Sequence, residues 1–277
     1  MNIVFENVSF TYPSGVEALH GIELSIAAGE AVAIIGENGA GKTTLARHIN
    51  GLLQPTEGQV QVGGWNTREH SVAQLARRVG YVFQNPDDQL FERTVRAEVA
   101  FGPRNLGQSD EEVRANVAAA LEQVGLADRA DSHPYDLHMS QRKLVALAAT
   151  LAMHTPIVIL DEPTTGQDAP GLARLSGIVQ ALKAEARTLI TISHDIDFCA
   201  EHFGRVIVMA QGRVIGDGPA SDVLAQADLL ARAEVTPPQL VRLAAGLGLE
   251  CAPLNVDEFI ACLAAGGRGE HREGAAP

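Results

Sequence analysis

One nine-residue stretch constrains this chain more than any other. Residues 36–44 read GENGAGKTT. They fit the pattern G-x-x-x-x-G-K-[ST] and follow a continuous apolar run, AVAII at 31–35, which predicts a strand buried on both faces. A helix is predicted directly after, from about Gly41 to Leu53. Strand, glycine loop and helix in that order make a phosphate-binding turn. Gly36, Asn38, Gly39 and Gly41 let backbone N–H groups curl around a polyphosphate, and the helix N-terminus adds positive potential. Lys42 is placed to reach terminal phosphates, and the hydroxyl of Thr43, followed by Thr44, to bind Mg²⁺. The bland alternative is an incidental Gly-rich turn. The flanking strand and helix argue against it.

A second stretch supplies the other half of such a site. Four apolar residues, IVIL at 157–160, run into Asp161-Glu162. A strand ending there sets a carboxylate beside the phosphate loop. Asp161 can hold Mg²⁺ directly or through water, and Glu162 can orient or deprotonate a water.

The rest of the chain reads as alternating strands and helices. Strands are predicted over 3–12, 22–26, 58–62, 79–83, 157–161, 188–193 and 205–210. From about Pro86 to His154 helical patterns dominate, with one helix opened at Ser109 by a capping-box spacing and another over 141–153. A further helix is predicted over about 170–185. This is an α/β layered core interrupted by a helical insertion. After about Gly218 the chain turns helical, and Gly266–Pro277 is expected to fray.

Composition removes several classes. Lys and Arg number 21 against 34 Asp and Glu, a net charge of −13, which disfavours a generally basic surface for nucleic acid. Cys199, Cys251 and Cys262 are scattered, odd in number and without a Cys-x-x-Cys, so neither a disulfide framework nor a zinc knuckle is expected, and a reducing compartment fits. No run approaches the ~18 apolar residues of a membrane span, and the start lacks a secretory signal. Trp65 reads as a loop anchor rather than a ligand platform.

With these residues in order, the chain resembles the ATP-binding subunits of ABC transporters over roughly residues 1–220. GENGAGKTT resembles the family's Walker A and IVILDEPT its Walker B with catalytic Glu162. The resemblance implies that Gln84 is the Q-loop glutamine that senses Mg²⁺ and the attacking water. It implies that His194 is the switch histidine contacting the γ-phosphate, that Tyr12 stacks on adenine, and that Asp168 communicates across a dimer. In isolation, Tyr12 would read as a strand residue, His194 as a cap and Gln84 as a loop amide. The implied fold is a P-loop NTPase of the ABC ATPase type: a RecA-like core with an antiparallel β subdomain, a helical subdomain inserted at about 86–154, and a C-terminal helical extension over 221–277 with a frayed tail. The implied cofactors are ATP and Mg²⁺.

HINGLLQPTEG at 48–58 and the stretch 79–107 resemble the energy-coupling-factor branch, whose members power uptake of vitamins and of cobalt or nickel ions. That likeness implies three partners: a second ABC ATPase, a transmembrane coupling subunit and a separate membrane substrate-binding subunit. It places the chain peripherally at the cytoplasmic face of the membrane. Asp87, Asp88, Glu92 and Glu98 fall in the branch's Q-helix region, where acids would face Arg on a coupling helix; an ordinary solvated helix face is the alternative. The tail resembles the branch's dimerising extension, with packing onto its own core as the equal rival.

The signature departs from the family. Leu-Ser-Gly-Gly-Gln is expected where residues 137–141 read Leu-His-Met-Ser-Gln, and Gln141 precedes Asp161 by the family's ordinary 20 residues. His138 therefore stands in the serine position, and Met139 and Ser140 in the glycine positions. Glycine there allows close backbone approach to the nucleotide of the opposite subunit. A lost donor to a transition-state oxyanion costs ~3–4 kcal/mol. Since the chain's own Walker motifs are intact, a heterodimer with a second ATPase is expected over a homodimer. Gln167, where the family has an apolar residue, has no account from sequence. Two other classes compete. One is a soluble ABC ATPase not tied to transport, disfavoured by a single cassette, a Lys42–Gln141 separation of only 99 residues without heptads, and the acidic charge. The other is a low-turnover nucleotide-binding structural partner.

Overall fold

The computed structural model of the chain describes residues 1–266. The expected fraying of Gly266–Pro277 therefore lies almost wholly outside the described residues. Among the described residues ten strands form two sheets. The first is antiparallel, in the order β2-β1-β4-β5, from β1 (Ile3–Thr11), β2 (Glu17–Ile26), β4 (Glu57–Val62) and the short β5 (Trp65–Asn66). The second runs β10-β9-β3-β8-β7-β6, from β3 (Ala31–Gly36), β6 (Val79–Val82), β7 (Ile157–Asp161), β8 (Thr188–Ile192), β9 (Arg205–Ala210) and β10 (Arg213–Pro219). All pairs in it are parallel except β10 with β9.

The apolar runs follow from a sheet buried on both faces. Along β3, Val32 and Ile34 enter one core while Ala33 and Ile35 enter the other. The same split recurs on β7, with Ile157 and Ile159 against Val158 and Leu160, and on β9. Successive side chains point to opposite faces, so a strand between two cores must be apolar throughout. One core lies against the antiparallel sheet and α1 (Lys42–Ile49). The other lies against the helices between β6 and β7 and those after β7.

After the short α2 (Val72–Leu75), the insertion is built from α3 (Val95–Asn105), α4 (Asp110–Gln123) and α5 (Met139–Leu151). Ser109 caps α4 by the expected box, its hydroxyl accepting from Glu112 N while the Glu112 carboxylate accepts from Ser109 N. The second half holds α6 (Ala169–Ala184), α7 (Ile196–His202), α8 (Ala220–Leu224) and α9 (Ala227–Arg232). Then come α10 (Gln239–Gly246) and α11 (Val256–Gly266), which leave Leu243, Leu247, Val256, Ile260 and Leu263 exposed. Among the described residues no helix is long and apolar enough to cross a membrane.

Three expectations change. The helix expected from Gly41 to Leu53 ends at Ile49, because the chain turns at Asn50 and passes through Gly51 at φ 75°. The edge strand β10 was not anticipated. A disulfide was not expected either, yet Cys251 pairs with Cys262 across Cα atoms 6.5 Å apart; the bond joins α11 to the loop before it. Cys199 is free and buried. Trp65 has both faces covered, by His70 in parallel stack at 4.0 Å and by the Arg78 guanidinium at 3.4 Å, so it is a loop anchor with no face left for a ligand.

Candidate functional site

The carboxyl ends of β3, β8 and β7 lie side by side, with Ile34 level with Ile192 and Ile192 level with Asp161. Everything that leaves those three ends meets in one cleft, the usual ligand position of an open parallel sheet. The phosphate loop leaves β3, Asp161-Glu162 ends β7, and Ser193-His194 follows β8. They border a cavity of about 370 Å³ whose lining includes Tyr12, Asn38, Gly39, Gly41, Lys42, Thr43, Thr44, Gln84, Glu162 and His194.

The loop needs its glycines. Gly36 has φ 149°, and a Cβ there would lie 2.0 Å from the carbonyl oxygen of Met209. Gly41 has φ 100°, and a Cβ would lie 2.6 Å from the carbonyl oxygen of Ala18. No side chain caps α1 at Gly41, so its first N–H groups face the cavity end without a side-chain acceptor. Lys42 Nζ donates to the carbonyls of Gly36 and Glu37 at 2.8 and 2.7 Å, which aligns the ammonium across the loop. Burial lowers its pKa, against the charges of Glu162, Asp161 and Glu37. An uncapped helix start, a spanning lysine and a glycine cradle fit a bound polyphosphate.

Thr43 Oγ1 donates to Asp161 Oδ1 at 3.2 Å. Two ligands at right angles on a Mg²⁺ ion, with metal–oxygen distances near 2.1 Å, sit about 3 Å apart, so this pair fits such an ion. Asp161 Oδ2 accepts from the buried Tyr81 hydroxyl at 2.7 Å. Burial raises the pKa of Asp161, and the bonds from Tyr81 and Thr43 oppose it. Gln84 is exposed and lines the same cavity. Among the described residues no group of three or more His, Cys, Asp or Glu could hold a metal, so an ion at Asp161 would need neutral protein oxygens such as Thr43 Oγ1, nucleotide and water as its other ligands.

Glu162 is 4% exposed and adopts φ 50°, unusual for a residue with a side chain. Its N–H donates to Ile192 O at 2.8 Å, and Lys143 Nζ donates to its carbonyl at 3.0 Å. His194 N donates to Oε2 at 3.2 Å and His194 Nε2 lies 3.4 Å from Oε1. Oε1 has no aligned hydrogen bond, so the His194 contact is an electrostatic approach rather than a bond. Burial raises the pKa of Glu162 and lowers that of His194, where the Lys42 charge acts in the same direction. Tyr12 is held by its hydroxyl, 2.9 Å from Thr44 Oγ1, and by an edge contact with Phe10.

None of His138, Met139, Ser140, Gln141 and Asp168 lines this cavity. The first four start α5, where Gln141 Oε1 accepts from His138 N at 3.3 Å and Met139 is exposed. Asp168 caps α6 by accepting from Gly171 N at 2.9 Å.

The four acids expected to share a coupling groove do not all line one cleft. Asp87 is paired with Arg142 at 2.6 Å, Asp88 is exposed and Glu92 half-buried. Only Glu98 lines the nearby cleft of about 260 Å³, which is otherwise mainly apolar, with Leu52, Val72, Phe91 and Phe101 exposed along it. Glu98 is itself buried, and its Oε2 accepts from Phe91 N and Glu92 N at 2.8 and 2.7 Å. Burial raises its pKa against those two bonds.

Sequence reasoning missed Tyr81, Lys143 and Thr165, whose hydroxyl donates to Glu162 Oε2 at 3.5 Å. Tyr81 reads as one residue of an apolar strand and Lys143 as one of two adjacent cations on a helix. Only the folded neighbours distinguish them.

The ABC transporter family model matches residues 19–165. The chain belongs to this family. A putative ABC transporter ATP-binding protein of Pyrococcus furiosus is 44% identical over 90% of the chain and 94% of its own length. The energy-coupling factor transporter ATP-binding protein EcfA of Methanosphaera stadtmanae is 39% identical, over 86% of each. CbiO1 of Clostridium perfringens, part of the ABC transporter complex CbiONQ, superposes with a TM-score of 0.74 at 33% identity, over 89% of this chain and 98% of its own. The ATP-binding cassette MJ0796, solved as a dimer bound to ADP and Pi, gives 0.73 at 27% identity, over 79% and 98%. The chain is thus an ABC ATPase, and its ligand is ATP.

Proposed function

We propose that the chain is the ATP-hydrolysing motor of an energy-coupling-factor-type importer for vitamins or transition-metal ions. The observation that carries the reading is the convergence of Lys42, Thr43, Glu162 and His194 on one cavity, with Asp161 beside it in contact with Thr43. The relatives named EcfA and CbiO1 support the importer class. Lys42 and the loop N–H groups hold the phosphates, and Tyr12 takes the adenine. Thr43, Asp161 and Gln84 hold Mg²⁺, which when bound neutralises charge on the transferring phosphoryl group. Glu162 accepts the proton of the attacking water, with Oε1 free for it and Oε2 oriented by His194 N.

The chain acts in an ATPase dimer, where His138–Gln141 meet the nucleotide of the opposite subunit and Asp168 communicates across the dimer. Their absence from the lining of the chain's own cavity supports this. Because Met139 and Ser140 replace glycines there, a second ATPase with an intact signature is the favoured partner. The exposed apolar residues of α10 and α11 support a dimerising role for the extension over 221–277, beyond the ATPase domain of 1–220. The apolar cleft beside Glu98 is the seat for a transmembrane coupling subunit, which joins a separate membrane substrate-binding subunit. This places the chain peripherally at the cytoplasmic face of the membrane and leaves no role for nucleic acid. Purification of the native complex from its membrane tests the assembly: a second ATPase and both membrane subunits are expected. Recovery of a lone homodimer would contradict it.

The altered signature also favours a low-turnover partner as a second reading. Complete Walker motifs with Glu162 and His194 in place weigh against it.

A further inference from the structure

We infer that Gln167 is a positioning residue that ties the signature turn of α5 to the catalytic turn of the same chain; the inference rests on the ATPase reading above. Gln167 Nε2 donates to the backbone carbonyl of Ser140 at 3.2 Å, 27 residues away in sequence. Ser140 lies in the first turn of α5, where the family's glycines are replaced. Gln167 lies on the turn that leaves β7 through Glu162. The amide orientation is chemically determined, since only its nitrogen can face a carbonyl.

A second contact runs in parallel. Lys143, one helical turn beyond Ser140, donates to the carbonyl of Glu162 at 3.0 Å. Residues three apart share a helix face, so α5 grips the turn from Glu162 to Gln167 at two points. That turn begins at a strained φ of 50°, which persists only where neighbours over-determine it. A displacement of the signature turn is therefore passed directly to Glu162. An apolar side chain at position 167 could pack there but could not bond Ser140.

The fold also makes room for this amide. A Cβ on Gly171 would lie 2.3 Å from Gln167 Oε1. Oε1 is buried and without a hydrogen-bond partner among the described residues, so the side chain is held in place at the cost of one unsatisfied acceptor. Gln167 thus meets the signature turn through its backbone, whatever side chain stands at position 140.

The test uses the assembled ATPase complex and two substitutions. Gln167→Leu is expected to lower kcat about fivefold, the worth of a modest hydrogen bond, while leaving ATP affinity unchanged because Gln167 does not line the nucleotide cavity. Gly171→Ala should reproduce the loss by displacing the amide. On the Gln167→Leu background it should cost much less than it does in the wild type, since the 2.3 Å contact with the amide oxygen is gone and only the 3.0 Å approach to Asp168 Oδ1 is left. Unchanged kcat in Gln167→Leu, or losses that simply add, would overturn the inference while wild-type turnover and its loss in Glu162→Gln leave the ATPase reading standing. A wild-type complex without turnover would overturn both.

Discussion

His194 approaches Glu162 from two directions: its backbone N–H donates to Oε2 at 3.2 Å, and its Nε2 lies 3.4 Å from Oε1. The backbone contact survives any substitution of the side chain, whereas the ring contact does not. His194→Ala should therefore leave Glu162 in place but remove the ring from the reacting end of the cavity. The expected result is a fall in kcat of about 10²-fold with little change in ATP affinity, measured by steady-state turnover and equilibrium nucleotide binding. An equal rise in the ATP dissociation constant would move His194 from chemistry to binding.

Tyr81 supports Asp161 from behind through a 2.7 Å bond. That bond lowers the pKa of a carboxyl that burial raises. Tyr81→Phe removes it without changing the packing. Loss of such a supporting bond should raise the Mg²⁺ concentration for half-maximal ATPase activity about tenfold. An unchanged Mg²⁺ titration would remove Tyr81 from the metal site.

His48 is fully buried, with Nδ1 2.7 Å from Thr44 O. Burial lowers its pKa below the ordinary 6.5, against hydrogen bonds to backbone. The unfolded chain then binds the extra proton first as pH falls. Stability from this group is complete above about 6.5 and is lost as pH drops towards the folded value. His48→Phe keeps a ring against Phe10 and removes the proton site. Its Tm should depend less on pH than that of wild type between about pH 7 and pH 5. Parallel curves would contradict this.

The signature makes the most consequential sequence prediction. Replacing His138-Met139-Ser140 by Ser-Gly-Gly should raise ATP turnover of the assembled heterodimer by up to about twofold, since the partner's signature already completes one of the two sites and the restored donors would complete the other. No gain would count against impairment and with it the main argument for a heterodimer.

The parts of the fold legible in sequence are those where one physical demand dominates. AVAII and IVIL had to be apolar throughout because their alternate residues feed two cores. The loop between β3 and α1 required glycine because Gly36 and Gly41 have positive φ against backbone neighbours. Where demands mix, the sequence is silent. Only the latter half of β2 alternates visibly, since Gly21 at φ 57° interrupts it. β10 is an exposed edge strand carrying Gly216 and Gly218, and its pattern is weak. Glu98 reads as a surface acid, yet two loop N–H groups draw it inward. Gln167 meets Ser140 only because α5 folds back over the end of β7.

In the proposed mechanism Glu162 takes the proton of the attacking water in a nucleotide site that is otherwise assembled without it. Glu162→Gln tests this directly, because the amide keeps the size of the side chain and loses the base. The measurement is ATP turnover beside ATP-dependent subunit association in the purified complex. The account predicts turnover lowered by about 10²-fold or more, with ATP retained and the closed dimer accumulating. Turnover equal to wild type would contradict it.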